Sequence, residues 1–192
     1  MLVQILLFLL DSLCGFFTLA LLVRFAMQWT RTSFRSQLGQ FIVAVSDWMV
    51  RPARRVIPGL FGHDLATLLL AWLWQVVYQG LALGFSGLIL TVSPMAMIAV
   101  GLVAILEVIK FALYLVFGVV IIAAIFSWVN PYAPMAATFD SLTRPLLRPF
   151  RRLIPPIGGV DLSPLALLIA LQIGLFVLAG LRQSLLPLAL MP

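Results

Sequence analysis

Charged residues are scarce in this 192-residue chain, and their scarcity excludes a soluble protein. Only 9% of the residues are charged, while 64% are hydrophobic and the mean hydropathy is +1.18. A soluble protein must cover its surface with polar groups, and 12 basic and 6 acidic side chains are too few to do so. The composition therefore predicts an integral membrane protein.

Cysteine, histidine and lysine each occur once, so the residue types that build many metal sites and active sites are nearly missing. Cys14 stands in an apolar run, which excludes a disulfide framework and a metal-ligand spacing and is typical of a packing residue. His63 has no second histidine or suitably placed cysteine with which to hold zinc or haem. The sequence also contains no Ser-His-Asp set and no phosphate-binding glycine loop. We therefore expect no catalytic residue, no cofactor and no metal, and a protein that is not an enzyme.

Long apolar runs are abundant instead, and about 20 apolar residues suffice to cross a bilayer. The predicted spans are Leu2 to Trp29, Leu65 to about Leu83, Val108 to Val129, and Leu162 to about Arg182. The first run lacks the basic start of a signal peptide and is too long for one, so we expect a retained helix. The third belongs to a longer run from Met95, which we divide at Glu107 and Lys110 because these two can pair at the outer interface.

One stretch of the chain occurs twice. The segment Asp47 to Asp64, DWMVRPARRVIPGLFGHD, returns as Asp140 to Asp161, DSLTRPLLRPFRRLIPPIGGVD. In both, an aspartate lies four residues ahead of an Arg-Pro pair, and a box of two arginines follows. We call these two segments the basic bends. The chain is therefore predicted to be a tandem duplication, with a first repeat at residues 1–94 and a second at residues 95–192.

Two departures from internal symmetry accompany this repeat. Arg24, which we expect to extend to the membrane surface, is matched by Ala123 in the second repeat. The second bend also carries four extra residues, in the region of Leu147 to Pro149. These differences argue against assigning the same role to both halves.

Each bend is preceded by an amphipathic segment. Leu38, Phe41, Ile42, Val45, Trp48 and Met49 fall on one helical stripe, which predicts a helix in the membrane interface with Gln40, Ser46 and Asp47 toward water. We expect Pro52 to end this helix. Asp64 and Asp161 then stand where they can cap the helices that follow.

The arginines predict the orientation of the chain. The two loops that contain the bends carry five and four arginines and no lysine, whereas the loop from Gly84 to Pro94 carries no charge. By the positive-inside rule both bends face the cytoplasm and both termini face outward. The predicted fold is an all-α membrane protein of four transmembrane helices, arranged as two parallel helical-hairpin repeats, each with a cytoplasmic interfacial amphipathic helix and an Arg-Pro bend. An isoelectric point near 10.8 would suggest nucleic-acid binding in a soluble chain. Here the arginines concentrate in the loops that contain the two bends, so we expect no nucleic-acid partner.

The doubled bend resembles the YggT (YlmG) family, and the resemblance covers nearly the whole chain as two family repeats. The residues that carry it are Trp29, Asp47, Arg51, Pro52, Arg54, Arg55, Pro58 and Asp64, and then Trp128, Asp140, Arg144, Pro145, Arg151, Arg152, Pro155 and Asp161. The resemblance implies a bacterial inner-membrane or a thylakoid protein without a settled molecular activity. It implies links to osmotic and potassium tolerance, to cell or plastid division with nucleoid placement, and in plastids to haem attachment on a cytochrome b-type subunit.

Two interpretations of the bends stay open. Their arginines either set topology and contact anionic lipid head groups, or they dock a membrane-protein partner or a second copy of the chain. The candidate docking residues are Arg51, Arg54, Arg55, Arg144, Arg148, Arg151 and Arg152, and their candidate internal partners are Asp47, Asp64, Asp140 and Asp161. The first functional hypothesis is accordingly a scaffold or assembly factor.

Charged residues in or near the spans support a second hypothesis, a channel-like or ion-homeostasis protein. The candidates are Asp11, Glu107, Lys110 and Arg182. An ionisable residue within a membrane is costly unless it is paired, so we expect Asp11 to pair with Lys110 or Arg182. Gln75 and Gln172 are expected to make hydrogen bonds between helices.

Overall fold

The fold consists of six helices in the described residues of a computed structural model, which are 1–57, 64–85, 94–130, 132–154 and 161–189. The helices are α1 Leu2–Trp29, α2 Gln37–Val56, α3 Leu65–Phe85, α4 Pro94–Val129, α5 Ala136–Leu153 and α6 Ser163–Ala189. No strand occurs in these ranges. His63 lies outside the described residues.

Four of the helices, α1, α3, α4 and α6, are long and apolar enough to cross a membrane. Their order along the chain is the same in each half, a long helix, an amphipathic helix and a second long helix. The structure therefore confirms an all-helical protein with four candidate membrane spans.

The two hairpins are built alike. Helix α1 packs on α3, and α4 packs on α6, while α4 also contacts α1 and α3 and so joins the halves. The amphipathic helices contribute to the apolar core, since Met49 and Val50 of α2 pack with Leu21 and Ala71. Leu147 of α5 packs in the same way with residues of α4 and α6. Each amphipathic helix is thus fixed to its own hairpin.

A tight loop sets the position of α2. The Ser36 side chain caps this helix by accepting a hydrogen bond from the Gly39 N–H at 3.2 Å. A Cβ atom at Gly39 would lie 2.6 Å from the Cα atom of Phe34. Only glycine permits this close approach.

Helix α4 is continuous and runs for 36 residues through Glu107 and Lys110, where the sequence divides the apolar run into an outer part and a spanning part. A continuous helix can project beyond the bilayer core. The place of Glu107 and Lys110 at the outer interface therefore stays a prediction.

Pro52 does not end α2, contrary to prediction, and Pro145 and Pro149 likewise lie within α5. Helix α2 continues through Pro52 to Val56, and α5 continues through Pro145 and Pro149 to Leu153. A proline removes one backbone hydrogen bond. The helix persists because core packing holds the chain near the proline, at Val50 in α2 and Leu147 in α5.

Candidate functional site: the two basic bends

Arg24 is the centre of the first bend, although it belongs to α1. Its side chain is buried, with the residue 5% exposed. Its Nη1 donates to Ser46 Oγ at 2.7 Å and its Nη2 donates to Asp47 Oδ1 at 2.9 Å. Asp47 Oδ2 is in turn 2.6 Å from Nη2 of Arg51. One carboxylate of α2 is therefore shared by two guanidinium groups.

This arrangement corrects one prediction. Ser46 and Asp47 do not face water but are turned toward Arg24, while the place of Arg24 at the membrane surface stays a prediction. A guanidinium within a helix bundle needs acceptors, and a polar face of α2 turned inward supplies them.

Asp47 has a perturbed acidity. Burial alone would raise its pKa, but the hydrogen bond and charge of Arg24, together with Arg51, outweigh burial and hold the pKa of Asp47 below its ordinary value. Asp47 is therefore fully ionised at neutral pH.

The second bend lacks the buried arginine. Asp140 pairs with Arg144 at 2.5 Å, as Asp47 pairs with Arg51, but the side chains are 48% and 70% exposed. Ala123 occupies the position that corresponds to Arg24. Beside Ala123 and Asp140 lies a cavity of about 810 Å³ between α4, α5 and α6.

The far end of each bend is tied to the next helix by an ion pair. Arg54 donates to Asp64 Oδ2 from Nε at 2.9 Å and from Nη2 at 2.5 Å. Arg151 Nε donates to Asp161 Oδ2 at 2.9 Å. Both contacts join residues ten positions apart, so the two bends close in the same way.

The aspartates at the helix starts differ in their capping role. Asp161 Oδ1 accepts from the backbone N–H of Ser163 at 2.9 Å, which confirms that it caps α6. Asp64 precedes α3 and its backbone carbonyl accepts from the Thr67 N–H, but its carboxylate contacts Arg54 and Gln28. Burial would raise the pKa of Asp161, yet hydrogen bonds from Ser163 and Arg151 hold it below its ordinary value.

The pairing sorts the seven candidate arginines into two groups. Four are each paired with one of the four candidate aspartates: Arg51, Arg54, Arg144 and Arg151. Arg55, Arg148 and Arg152 are exposed and have no ion-pair partner among the described residues.

A second charged group lies in the spanning helices, centred on Glu107. This residue is 4% exposed. It forms an ion pair with Lys110 one turn along α4, as predicted, and its Oε1 is 3.0 Å from Nε of Arg182 on α6. Asp11 instead lies beside the Tyr78 hydroxyl. The predicted pairing of Asp11 with Lys110 or Arg182 was therefore wrong, because Glu107 takes both cations.

Other polar contacts connect helices. Gln75 donates to Thr18 Oγ1 at 2.9 Å, which confirms the predicted bond between helices, whereas Gln172 is exposed. Across the described part of the chain, no group of three or more His, Cys, Asp or Glu side chains is placed to hold a metal ion.

Comparison with known proteins identifies the family. The model of the CCB3/YggT family matches the chain twice, at residues 3–85 and 102–182. The chain belongs to the CCB3/YggT family. The two matches also confirm the two repeats, while the boundary between residues 94 and 95 stays a prediction.

Relatives cover most of the chain. A protein of Pseudomonas aeruginosa is 38% identical over 173 residues, which is 86% of this chain and 84% of the relative. The YggT protein of Escherichia coli K12 is 37% identical over 167 residues, covering 86% and 85% of the two chains. A Vibrio alginolyticus protein is 36% identical over 181 residues, covering 91% and 93%. All three are named as uncharacterized proteins, and no solved structure matches the chain.

Proposed function

We propose that this YggT-family protein is a non-enzymatic scaffold of the bacterial inner membrane, and that it binds an acidic segment of a membrane-protein partner through Arg55, Arg148 and Arg152. The observation that carries the proposal is the division of the bend arginines into paired and unpaired groups. The paired arginines are neutralised by aspartates of the same repeat. The unpaired ones are exposed and form no ion pair with the part of the chain that the structure describes, so their guanidinium groups are suited to bind another molecule.

The unpaired arginines lie at fixed positions, which favours recognition of a specific partner over general attraction between opposite charges. Arg55 adjoins Arg54, whose guanidinium is held by Asp64, and Arg152 adjoins Arg151, which is held by Asp161. The helix ends that carry the unpaired arginines are thus anchored to the following helices. An arginine at an anchored position can bind a carboxylate through two parallel hydrogen bonds, which a lysine cannot do.

The two repeats are also in contact on the side of the amphipathic helices. Oγ1 of Thr32, ahead of α2, lies 2.9 Å from Oγ of Ser141 on α5. This contact joins the loop ahead of α2 to the start of the second bend. We propose that the acidic segment of the partner contacts arginines from both bends.

The bends are proposed to face the cytoplasm with both termini outward. The support is the concentration of arginine in the two loops and its absence from residues 84–94. Phe41 and Trp48 of α2, which are 53% and 61% exposed, are suited to the lipid head-group region beside these arginines.

The test replaces Arg55, Arg148 and Arg152 together, by lysine in one variant and by glutamine in another. The lysine variant keeps the charge that orients the chain, so its membrane level should equal that of the parent. Capture of the partner by crosslinking in native membranes should fall about tenfold, because lysine lacks the planar two-pronged contact. The glutamine variant should lose capture as well, while the six arginines that remain in the two loops should keep its orientation.

A matched control tests whether capture depends on the bend arginines or on any exposed arginine. Arg31 and Arg35 are exposed arginines of the loop before α2, and their replacement by lysine should leave capture unchanged. Full capture by the lysine variant would show that the bends act through charge alone and would overturn the docking proposal. Potassium flux into proteoliposomes that contain the protein alone would favour the ion-homeostasis alternative instead.

A further inference from the structure

The two repeats differ most where Arg24 is matched by Ala123. In the first repeat the Arg24 guanidinium occupies the space between α1 and α2 and binds Asp47. In the second repeat the alanine leaves this space unfilled, and a cavity of about 810 Å³ lies beside it. This volume falls within the range of about 300–1,000 Å³ that small-molecule sites occupy, and it greatly exceeds one side chain.

The cavity contains an acceptor without a donor. Asp47 uses both carboxylate oxygens, Oδ1 for Arg24 and Oδ2 for Arg51. Asp140 uses Oδ2 for Arg144, and within the described residues its Oδ1 has no partner. In the first repeat, a guanidinium donates hydrogen bonds to the corresponding carboxylate, Asp47. The cavity of the second repeat is therefore suited to a cationic group that donates hydrogen bonds to Asp140.

The rest of the lining indicates an amphiphilic ligand. Val120, Phe126, Leu165 and Leu168 form apolar walls on the spanning helices α4 and α6. Asp140, Arg151 and Asp161 are the charged residues of the lining, and Arg151 follows Asp140 at eleven positions along α5, on the same helix face. Charges of both signs therefore lie at one end of an apolar cavity.

We propose that this cavity binds an amino-phospholipid of the phosphatidylethanolamine type. Its primary ammonium takes the position of the missing guanidinium against Asp140, its phosphate lies beside Arg151, and an acyl chain follows the apolar walls. Another cavity, of about 530 Å³ between α1, α4 and α5, has no charged lining residue and gives no basis for selecting a head group. The lipid site does not involve Arg55, Arg148 or Arg152, so it stands independently of the partner dock.

The test measures lipid retention. The purified full-length protein is delipidated, equilibrated with equal amounts of phosphatidylethanolamine, phosphatidylcholine and phosphatidylglycerol, and examined by native mass spectrometry. The parent should retain phosphatidylethanolamine about tenfold over phosphatidylcholine, because a trimethylated ammonium cannot donate hydrogen bonds to Asp140.

Two variants address the site by different routes. Ala123→Arg supplies the missing guanidinium and should abolish retention, while Asp140→Asn leaves the cavity open and should reduce retention to the phosphatidylcholine level. Asp11→Asn makes the same chemical change at an exposed carboxylate away from the cavity and should leave retention unchanged. If Ala123→Arg does not insert, Asp140→Asn decides the question alone.

Three results would overturn the proposal. The parent could retain phosphatidylethanolamine and phosphatidylcholine equally, or Asp140→Asn could retain as much as the parent. Preferential retention of phosphatidylglycerol would show that the cavity recognises anionic head groups and not the ammonium.

Discussion

At the scale of single residues, Arg24 and Asp47 tie α1 to α2 by a contact that the second repeat cannot make. Arg24 is almost wholly buried, and its Nη1 and Nη2 atoms donate to Ser46 and Asp47. Breaking a buried ion pair leaves an uncompensated charge and costs far more than losing a pair at the surface. The two repeats therefore allow the same type of carboxylate to be compared in two environments.

We predict that Asp47→Asn destabilises the protein by about 3 kcal/mol, whereas Asp140→Asn costs about 1 kcal/mol or less. The reason is that Asp47 compensates a buried guanidinium, while the ion-pair partner of Asp140 among the described residues is the exposed Arg144. Reversible unfolding in mixed micelles provides the measurement. A double-mutant cycle of Arg24→Met with Asp47→Asn should give a large coupling energy, and equal costs at Asp47 and Asp140 would contradict the prediction.

At the scale of helices, ion pairs hold each element to the next. Helices α2 and α5 end in arginines that bind the aspartates ahead of α3 and α6. Asp161 also caps α6 through the Ser163 N–H. Because the pKa of Asp161 and that of Asp47 are lowered, these links depend on pH.

The sign of this dependence follows from the lowered pKa values. The unfolded chain binds more protons than the folded protein between the lower folded pKa and the ordinary aspartate pKa of about 4. The free energy of unfolding should therefore stay level, as far as these groups determine it, from pH 7 to about pH 5. It should fall as the pH drops below about 4 and through the folded pKa values.

The aspartates can be tested by unfolding the protein between pH 7 and pH 3. Asp161→Asn keeps an oxygen for Ser163 but loses the charge that attracts Arg151, so its stability should decline less on acidification. A decline as steep as that of the parent would show that Asp161 does not contribute.

At the scale of the whole molecule, the sequence predicts what depends on local pattern. Four spans follow from apolar length, and two repeats follow from a motif that occurs twice. Contacts between distant helices were missed, since neither the pair of Arg24 with Asp47 nor that of Arg182 with Glu107 lies within one segment. Because an unpaired charge in a span is costly, the sequence indicated that each of these charged residues needs a partner. It did not indicate which residue that partner is.

Orientation is the property of the whole molecule that the arginines predict. In a protein whose Cys14 is replaced by serine, cysteines introduced at Ser33 and Tyr132 should be shielded from an impermeant thiol reagent in intact cells. A cysteine at Ser184, near the other end of α6, should be labelled. All three positions are exposed in the bundle, so burial cannot explain a difference. Labelling at Ser33 and shielding at Ser184 would invert the orientation.

The unbroken α4 has a consequence for the surrounding lipid. Its apolar part, Met95–Ser127, has 33 residues and is therefore about 50 Å long, while a bilayer core is about 30 Å thick. An upright helix of this length does not match the bilayer, so α4 must incline, project beyond the core or thicken the lipid next to it. Each of these responses changes as the bilayer thins or thickens. A change in membrane thickness therefore exerts a force on α4. The Glu107–Arg182 contact joins α4 to α6, so this force also acts on that contact.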